Sequence, residues 1–170
     1  MKRFLLILFA IIFVSLSLFS CNSQNDGGDF IYETMETSYL SFEFPKNWQL
    51  KSGSTTSVTT YDGKRGIKFY SSEYTEAFES ITSEEMEAAL KSQYEGTPAE
   101  MSGYTFKKDT SKGFDMLVAE FDVIGIECPF HQIVYRCHIG DKIATITIFY
   151  ENETDTSFAT HLYDTLTQKN

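Results

Sequence analysis

Few residues of this chain have side chains able to do covalent or metal chemistry. They are Cys21, Cys128 and Cys137, together with His131, His138 and His161. A zinc site would need closely spaced Cys and His ligands. The sequence has no Cys-x-x-Cys or His-x-x-x-His spacing. On one extended strand His131 and Cys137 share a face, whereas His138 takes the opposite face. Cys137 lies among Ile133, Tyr135 and Ile139, which reads as a buried apolar thiol. A nucleophilic pair of Cys128 and His131 would need an activated thiolate and a third orienting group, and the sequence supplies neither. Cys128 and Cys137 are also poorly placed for a disulfide. Nine extended residues span ~30 Å, and a disulfide needs its Cα atoms within ~7 Å. An acidic run, Glu73, Glu76, Glu79, Glu84, Glu85 and Glu87, surrounds a helix start, where carboxylates suit the dipole. It lacks the Asp/Asn-and-Gly spacing of a calcium loop. No catalytic residue, metal or cofactor is assigned from these patterns.

Cys21 is different. Ahead of it stand Lys2 and Arg3, the unbroken apolar run from Phe4 to Val14, its extension through Leu16, Leu18 and Phe19, and small Ser20. This is the order of an export signal. The run falls between a spanning helix of ~20 residues and a signal core of 10–14, so its length does not decide. The cysteine does. Leu18-Phe19-Ser20-Cys21 resembles the lipobox of bacterial lipoproteins. That resemblance implies cleavage between Ser20 and Cys21, and diacylglycerol on the Cys21 thiol. Residues 1–20 are then signal peptide, and 21–29, polar and Gly-containing, a flexible tether. A domain of residues 30–170 follows. Two or more acyl chains hold a protein stably on a membrane. Asn22, in place of Asp, follows the cysteine. In proteobacterial lipoproteins this is not a signal for inner-membrane retention, so the outer membrane is favoured over the inner.

Charge limits the partners. The 170-residue chain carries a net charge of −10, and losing Lys2 and Arg3 takes it to −12. Such a surface repels nucleic acid and anionic headgroups. The lipid on Cys21 is then the main hold on the membrane, and a protein of the cell envelope is the expected partner.

The elements that must position any site are legible in part. Leu40, Phe42 and Phe44 alternate, which predicts a strand over 39–44 that leads through Pro45-Lys46-Asn47 to Trp48, a core residue. Residues 52–60 give little signal, Tyr61-Asp62-Gly63 is a turn, and 66–72 form a strand. Thr82-Ser83-Glu84-Glu85 fits a capping box for a helix over 83–95. Its face is Met86, Ala89, Leu90, Gln93 and Tyr94, and Gly96 and Pro98 end it. Strands follow at 104–108, 114–124, 130–139 and 143–150, the last two joined by a tight turn at Gly140-Asp141-Lys142. A closing helix at about 155–167 carries Phe158, Leu162 and Leu166. The predicted class is α+β, an antiparallel sheet of about five to seven strands covered by helices.

The segment Phe42-Glu43-Phe44-Pro45-Lys46-Asn47-Trp48 resembles the strand, Pro, turn and Trp that open the PsbP-like superfamily. The hairpin through Gly140-Asp141-Lys142, the strand ending at Tyr150, an acidic loop and a closing helix are similar in order and spacing. The superfamily includes photosystem extrinsic subunits, a nuclear Ran-release factor and bacterial lipoproteins of unknown role. The resemblance implies an α/β/α sandwich with no shared catalytic residues, acting by binding other macromolecules. The expected function is a membrane-anchored, non-enzymatic binding or accessory module. Two alternatives stay open: a small-ligand-binding lipoprotein with a pocket between sheet and helices, and a hydrolase without a recognisable motif.

Overall fold

A computed structural model describes residues 30–54, 57–61, 64–151 and 156–169, with the backbone alone for 49–61. The expected signal peptide (1–20, with Ser20), Cys21 and the expected tether (21–29) lie outside the described residues, as do Asp62, Gly63 and 152–155.

Ten strands form two antiparallel sheets. β1 (Tyr32–Glu36), β2 (Leu40–Pro45) and β10 (Thr167–Gln168) make a small one, in the order β1-β2-β10. The main sheet has seven strands: β3 (Gln49–Ser54), β4 (Ser57–Tyr61), β5 (Arg65–Glu73), β6 (Glu100–Asp109), β7 (Met116–Ile124), β8 (Phe130–Ile139) and β9 (Lys142–Glu151). Their spatial order is β3-β4-β5-β9-β8-β7-β6. The α+β antiparallel class is therefore as expected, but the strand near 40 belongs to a separate sheet. The strands at 32–36, 49–54, 57–61 and 167–168 gave no usable periodicity. They are short or rich in Ser, Thr and Glu, and pairing with neighbours supplies what local pattern lacks.

The central strands follow their side-chain alternation. Ile133, Tyr135, Cys137 and Ile139 of β8 enter one core with Leu40, Phe42, Ile67 and Phe69. Phe130 and Val134 enter a second core on the opposite face. The β8–β9 hairpin turns at Gly140, whose φ of 60° is costly for a residue with a Cβ. At Gly66 the need is space: the Phe149 ring of β9 lies over it, where a Cβ would stand.

Helices cover both faces. On one, α1 (Ala77–Ser80) and α2 (Ser83–Lys91) continue into a 3₁₀ turn at Ser92–Tyr94. The capping box forms: Glu85 N–H donates to Thr82 Oγ1 (3.2 Å), and Thr82 N–H to Glu85 Oε2 (3.0 Å). Met86, Leu90 and Tyr94 are buried on the second core. Tyr94 also donates to Gln132 Oε1 (3.1 Å), satisfying a buried amide oxygen. The expected helix over 83–95 thus ends its α-helical part at Lys91 and tightens over its last turn. On the other face α3 (Ser157–Thr165) lies beside β2 and buries Phe158, Ala159 and Leu162. Leu166 follows, fully buried, and β10 then pairs with β2. Two sheets and three helices therefore make three layers, with the main sheet in the middle.

Candidate functional site

The three histidines are placed apart. His131 Nδ1 and Asp122 Oδ1 are 2.8 Å apart across β7 and β8. His138 faces the other way, stacked on Tyr74 with ring centroids 4.0 Å apart, its Nε2 against Gly140 O (2.9 Å). His161, on α3, meets Glu43 of β2 (2.6 Å) and stacks on Tyr32 of β1 at 3.6 Å. It fastens the small sheet to the helix. Among the described residues, no three His, Cys, Asp or Glu side chains converge as they would around a metal ion.

Cys137 is a free, fully buried thiol, so it is not bonded to Cys128. Burial pushes the Cys137 thiol up to about 12, the opposite of what a nucleophile needs. Trp48 is core, edge-on to Phe158 at 4.9 Å and to Phe30 at 6.4 Å. The acidic run stays at the surface around α1 and α2.

A different set of residues is brought together where α3 crosses β6–β9. The register places side chains in rows on the face toward α3. One row is Thr105, Glu120, Ile133 and Ile148; the next is Lys107, Val118, Tyr135 and Ile146; beyond Glu120 comes Asp122, His131 and Tyr150. From the helix, Thr156, Ala159, Thr160 and Tyr163 face these rows. A cleft of about 240 Å³ remains between helix and sheet. Val118, Ile133 and Ala159 contribute its apolar surface, and Glu120, Lys107 and the tyrosines its polar groups.

One end of the cleft is fixed. Tyr163 Oη donates to Asp109 Oδ2 (2.8 Å) and lies 2.8 Å from Ser111 Oγ; Ser111 N–H donates to Asp109 Oδ1 (2.8 Å). The Ser111 hydrogen bonds, with that from Tyr163, hold the Asp109 carboxyl down at about 2. The β6–β7 turn is thereby tied to α3. The inner wall is less satisfied. Tyr135 is 6 % exposed, yet among the described residues its hydroxyl has no hydrogen-bond partner. Burial, and then the Glu120 charge, hold that hydroxyl far above the ordinary tyrosine range. Burial, with Glu120 and Asp122, acts in the same direction on Tyr150. Both hydroxyls therefore stay protonated and available to donate. A second cleft, of about 220 Å³, lies at the sheet's other face near Phe78, Lys108 and Asp115. Lys108 closes over it by donating to Glu79 O (2.8 Å).

No residue of the main cleft stands out by spacing in the sequence. Its members come from four strands and a helix, and only strand register unites them. One signal was there to be used: Glu120 and Asp122 interrupt an otherwise apolar strand, on the same alternation as Met116 and Val118.

No family model matches the chain, and no curated protein matches it. Solved structures do. The solution structure of cyanobacterial PsbP (CyanoP) from Synechocystis sp. PCC 6803 matches 88 % of this chain and 99 % of that one, with a TM-score of 0.62 and 12 % identity. A crystal structure from Bacteroides thetaiotaomicron matches 82 % of this chain, with a TM-score of 0.54 and 8 % identity. The match takes in 48 % of that protein, so this chain spans about half its length. At these identities the likeness is one of fold, and the fold of this chain is PsbP-like.

Proposed function

We propose that this chain is a membrane-anchored lipoprotein whose domain is a non-enzymatic binding or accessory module of the cell envelope. Cys21 carries the lipid, and residues 21–29 allow the domain to stand up to about 30 Å from the surface when extended. The observation that supports a binding role is the cleft of about 240 Å³ between α3 and the main sheet, where Glu120 and the Tyr135 hydroxyl have no hydrogen-bond partner among the described residues. Outside the cleft, Cys137 is buried as a thiol and the three histidines lie apart. The partners are membrane lipid, through Cys21, and an envelope protein; the charge of the mature chain argues against nucleic acid. The outer membrane is the favoured location, on the strength of Asn22.

One observation favours the small-ligand reading within this role. The large exposed apolar side chains among the described residues are Ile31 and Ile124, too few for a broad hydrophobic docking face. The cleft under α3, by contrast, holds Glu120 and the Tyr135 hydroxyl, which have no partners among the described residues.

Mass spectrometry of the protein recovered from membranes tests the anchor. The expected N-terminus is a Cys21 bearing diacylglycerol, and Cys21→Ala leaves the precursor uncut and without lipid. The thioether and a disulfide compete for one sulfur. An N-terminus elsewhere, an unmodified Cys21, or Cys21 found bonded to Cys128 would each refute the lipoprotein reading. Co-purification with the lipidated protein from detergent-solubilised envelopes then tests the partner.

A further inference from the structure

We propose that the cleft between α3 and strands β6–β9 binds a small organic ammonium ion, with Glu120 as its counter-charge and Tyr135 and Tyr150 as its aromatic and hydroxyl wall. This deepens the small-ligand reading above and rests on it. The size of the site comes first. At about 240 Å³ it falls below the ~300–1,000 Å³ of clefts that enclose drug-sized molecules. A single small ion with a short alkyl body fits this space, the body lying against Val118 and Ile133.

The sign of the charge comes from the lining. Glu120 and Asp122 lie on the face toward α3, both close enough to act on the Tyr150 hydroxyl. Asp122 is engaged by His131 at 2.8 Å, whereas Glu120 has no partner among the described residues. The cation of the cleft, Lys107, sits at the rim with its side chain 60 % exposed, and its nearest carboxylate is Asp109 at 4.0 Å. Of the two charged residues that line the cleft, Glu120 is half-buried and Lys107 exposed, so the carboxylate lies deeper than the ammonium. The net charge of −10 over the chain draws cations toward the domain.

The rings suit the same ligand. A tyrosine face attracts ammonium through its quadrupole, and more strongly where water is excluded. Tyr135 and Tyr163 are adjacent, with ring centroids 5.8 Å apart. The protein already makes one such contact: Lys112 Nζ lies 4.5 Å from the Tyr163 ring centroid. The Tyr135 hydroxyl, without a partner among the described residues, gives a donor for an oxygen on the ligand. A hydroxyl two carbons from the ammonium, as in choline or ethanolamine, meets both needs. Such a group exists free and as a lipid headgroup, and a domain tethered by Cys21 stands within reach of the latter.

Isothermal titration of the full-length lipidated protein in non-ionic detergent tests this with choline and its uncharged carbon isostere, 3,3-dimethylbutan-1-ol. Choline is expected to bind at least about tenfold more tightly than the isostere, the scale of a desolvated ammonium–aromatic contact. Glu120→Gln, which breaks no described hydrogen bond, is expected to weaken choline about tenfold, and Lys107→Gln to tighten it about two- to threefold by removing a like charge. Tyr150→Leu gives a second variant should Glu120→Gln lower the fold's stability. Equal binding of choline and isostere would overturn the ammonium proposal and leave the pocket reading standing. Binding of neither would overturn both. Weaker choline binding in Lys107→Gln would also overturn the proposal, since removing a like charge can only favour a cation held in this cleft by its charge. Glycerophosphocholine separates the sources: tighter binding than choline assigns the site to a lipid headgroup, and weaker binding to a free amine.

Discussion

Replacing Phe158 by alanine tests whether α3 fastens the small sheet to the large one. Phe158 is fully buried. Its ring meets Trp48 at 4.9 Å, Phe30 at 6.0 Å and Tyr150 at 6.1 Å, all edge-on. These three partners come from the start of the domain, the turn after β2 and strand β9. Deleting a buried Phe ring costs ~3–5 kcal/mol, and the cost rises where the surroundings cannot collapse. Here the walls are two hydrogen-bonded sheets, and aromatic pairs add ~0.5–1.5 kcal/mol beyond burial. We therefore expect a loss near the upper end, about 4–5 kcal/mol, and about 1.5 kcal/mol or less for Phe158→Leu, which keeps most of the volume. The chain has one tryptophan, so urea unfolding followed by Trp48 emission reads both stability and local packing. Water entering the space should shift that emission to the red in Phe158→Ala before unfolding begins. A loss under about 1.5 kcal/mol with unchanged native emission would refute the role given to α3.

Two further outcomes follow from particular contacts. Asp109 has its folded pKa lowered from 3.8 to about 2 by the Ser111 and Tyr163 hydrogen bonds. Its contribution to stability is thus present above about pH 4 and is lost as pH falls toward 2. After discounting for solvent screening at this cleft edge, Asp109→Asn should cost about 1–2 kcal/mol at pH 6. That difference from the unmodified protein should shrink toward zero near pH 2 in urea titrations, and a difference that stays constant with pH would count against the assignment. Gly66→Ala should cost about 1–3 kcal/mol, because the Phe149 ring occupies the place of the new methyl group. The cost should fall below about 1 kcal/mol when measured in a Phe149→Leu background, and equal costs in the two backgrounds would mean that the ring is not the obstacle.

How much of this could be read along the chain depended on whether the determining contacts are local. The α2 capping box is closed between Thr82 and Glu85, three residues apart, so its signature is complete in the sequence. The alternation of β8 and the spacing of Phe158, Leu162 and Leu166 are likewise local consequences of strand and helix periods. β1, β3, β4 and β10 have no such pattern, since what holds them is a partner strand. β10 follows from Leu166 being buried beside β2, 126 residues from Ser41 in the case of Thr167. The extent of β6 was underestimated because Gly103, at φ 65°, sits in a register shift and reads as a break.

The same division applies to the sites. Everything inferred for Cys21 is written in consecutive residues, because an export and lipidation signal is recognised as an extended stretch of chain. The cleft could not be found that way. Glu120, Tyr135 and Tyr150 are separated by whole strands, and each alone reads as an ordinary sheet residue. Strand register puts Glu120 level with Ile133 and one row from both tyrosines, and the packing of α3 leaves a gap above them. Sequence alone thus determined the acidic charge and the α+β class, which depend on composition and short-range order. Tertiary structure decided which polar groups share one cleft, because proximity and unmet hydrogen bonds are properties of neighbours in space.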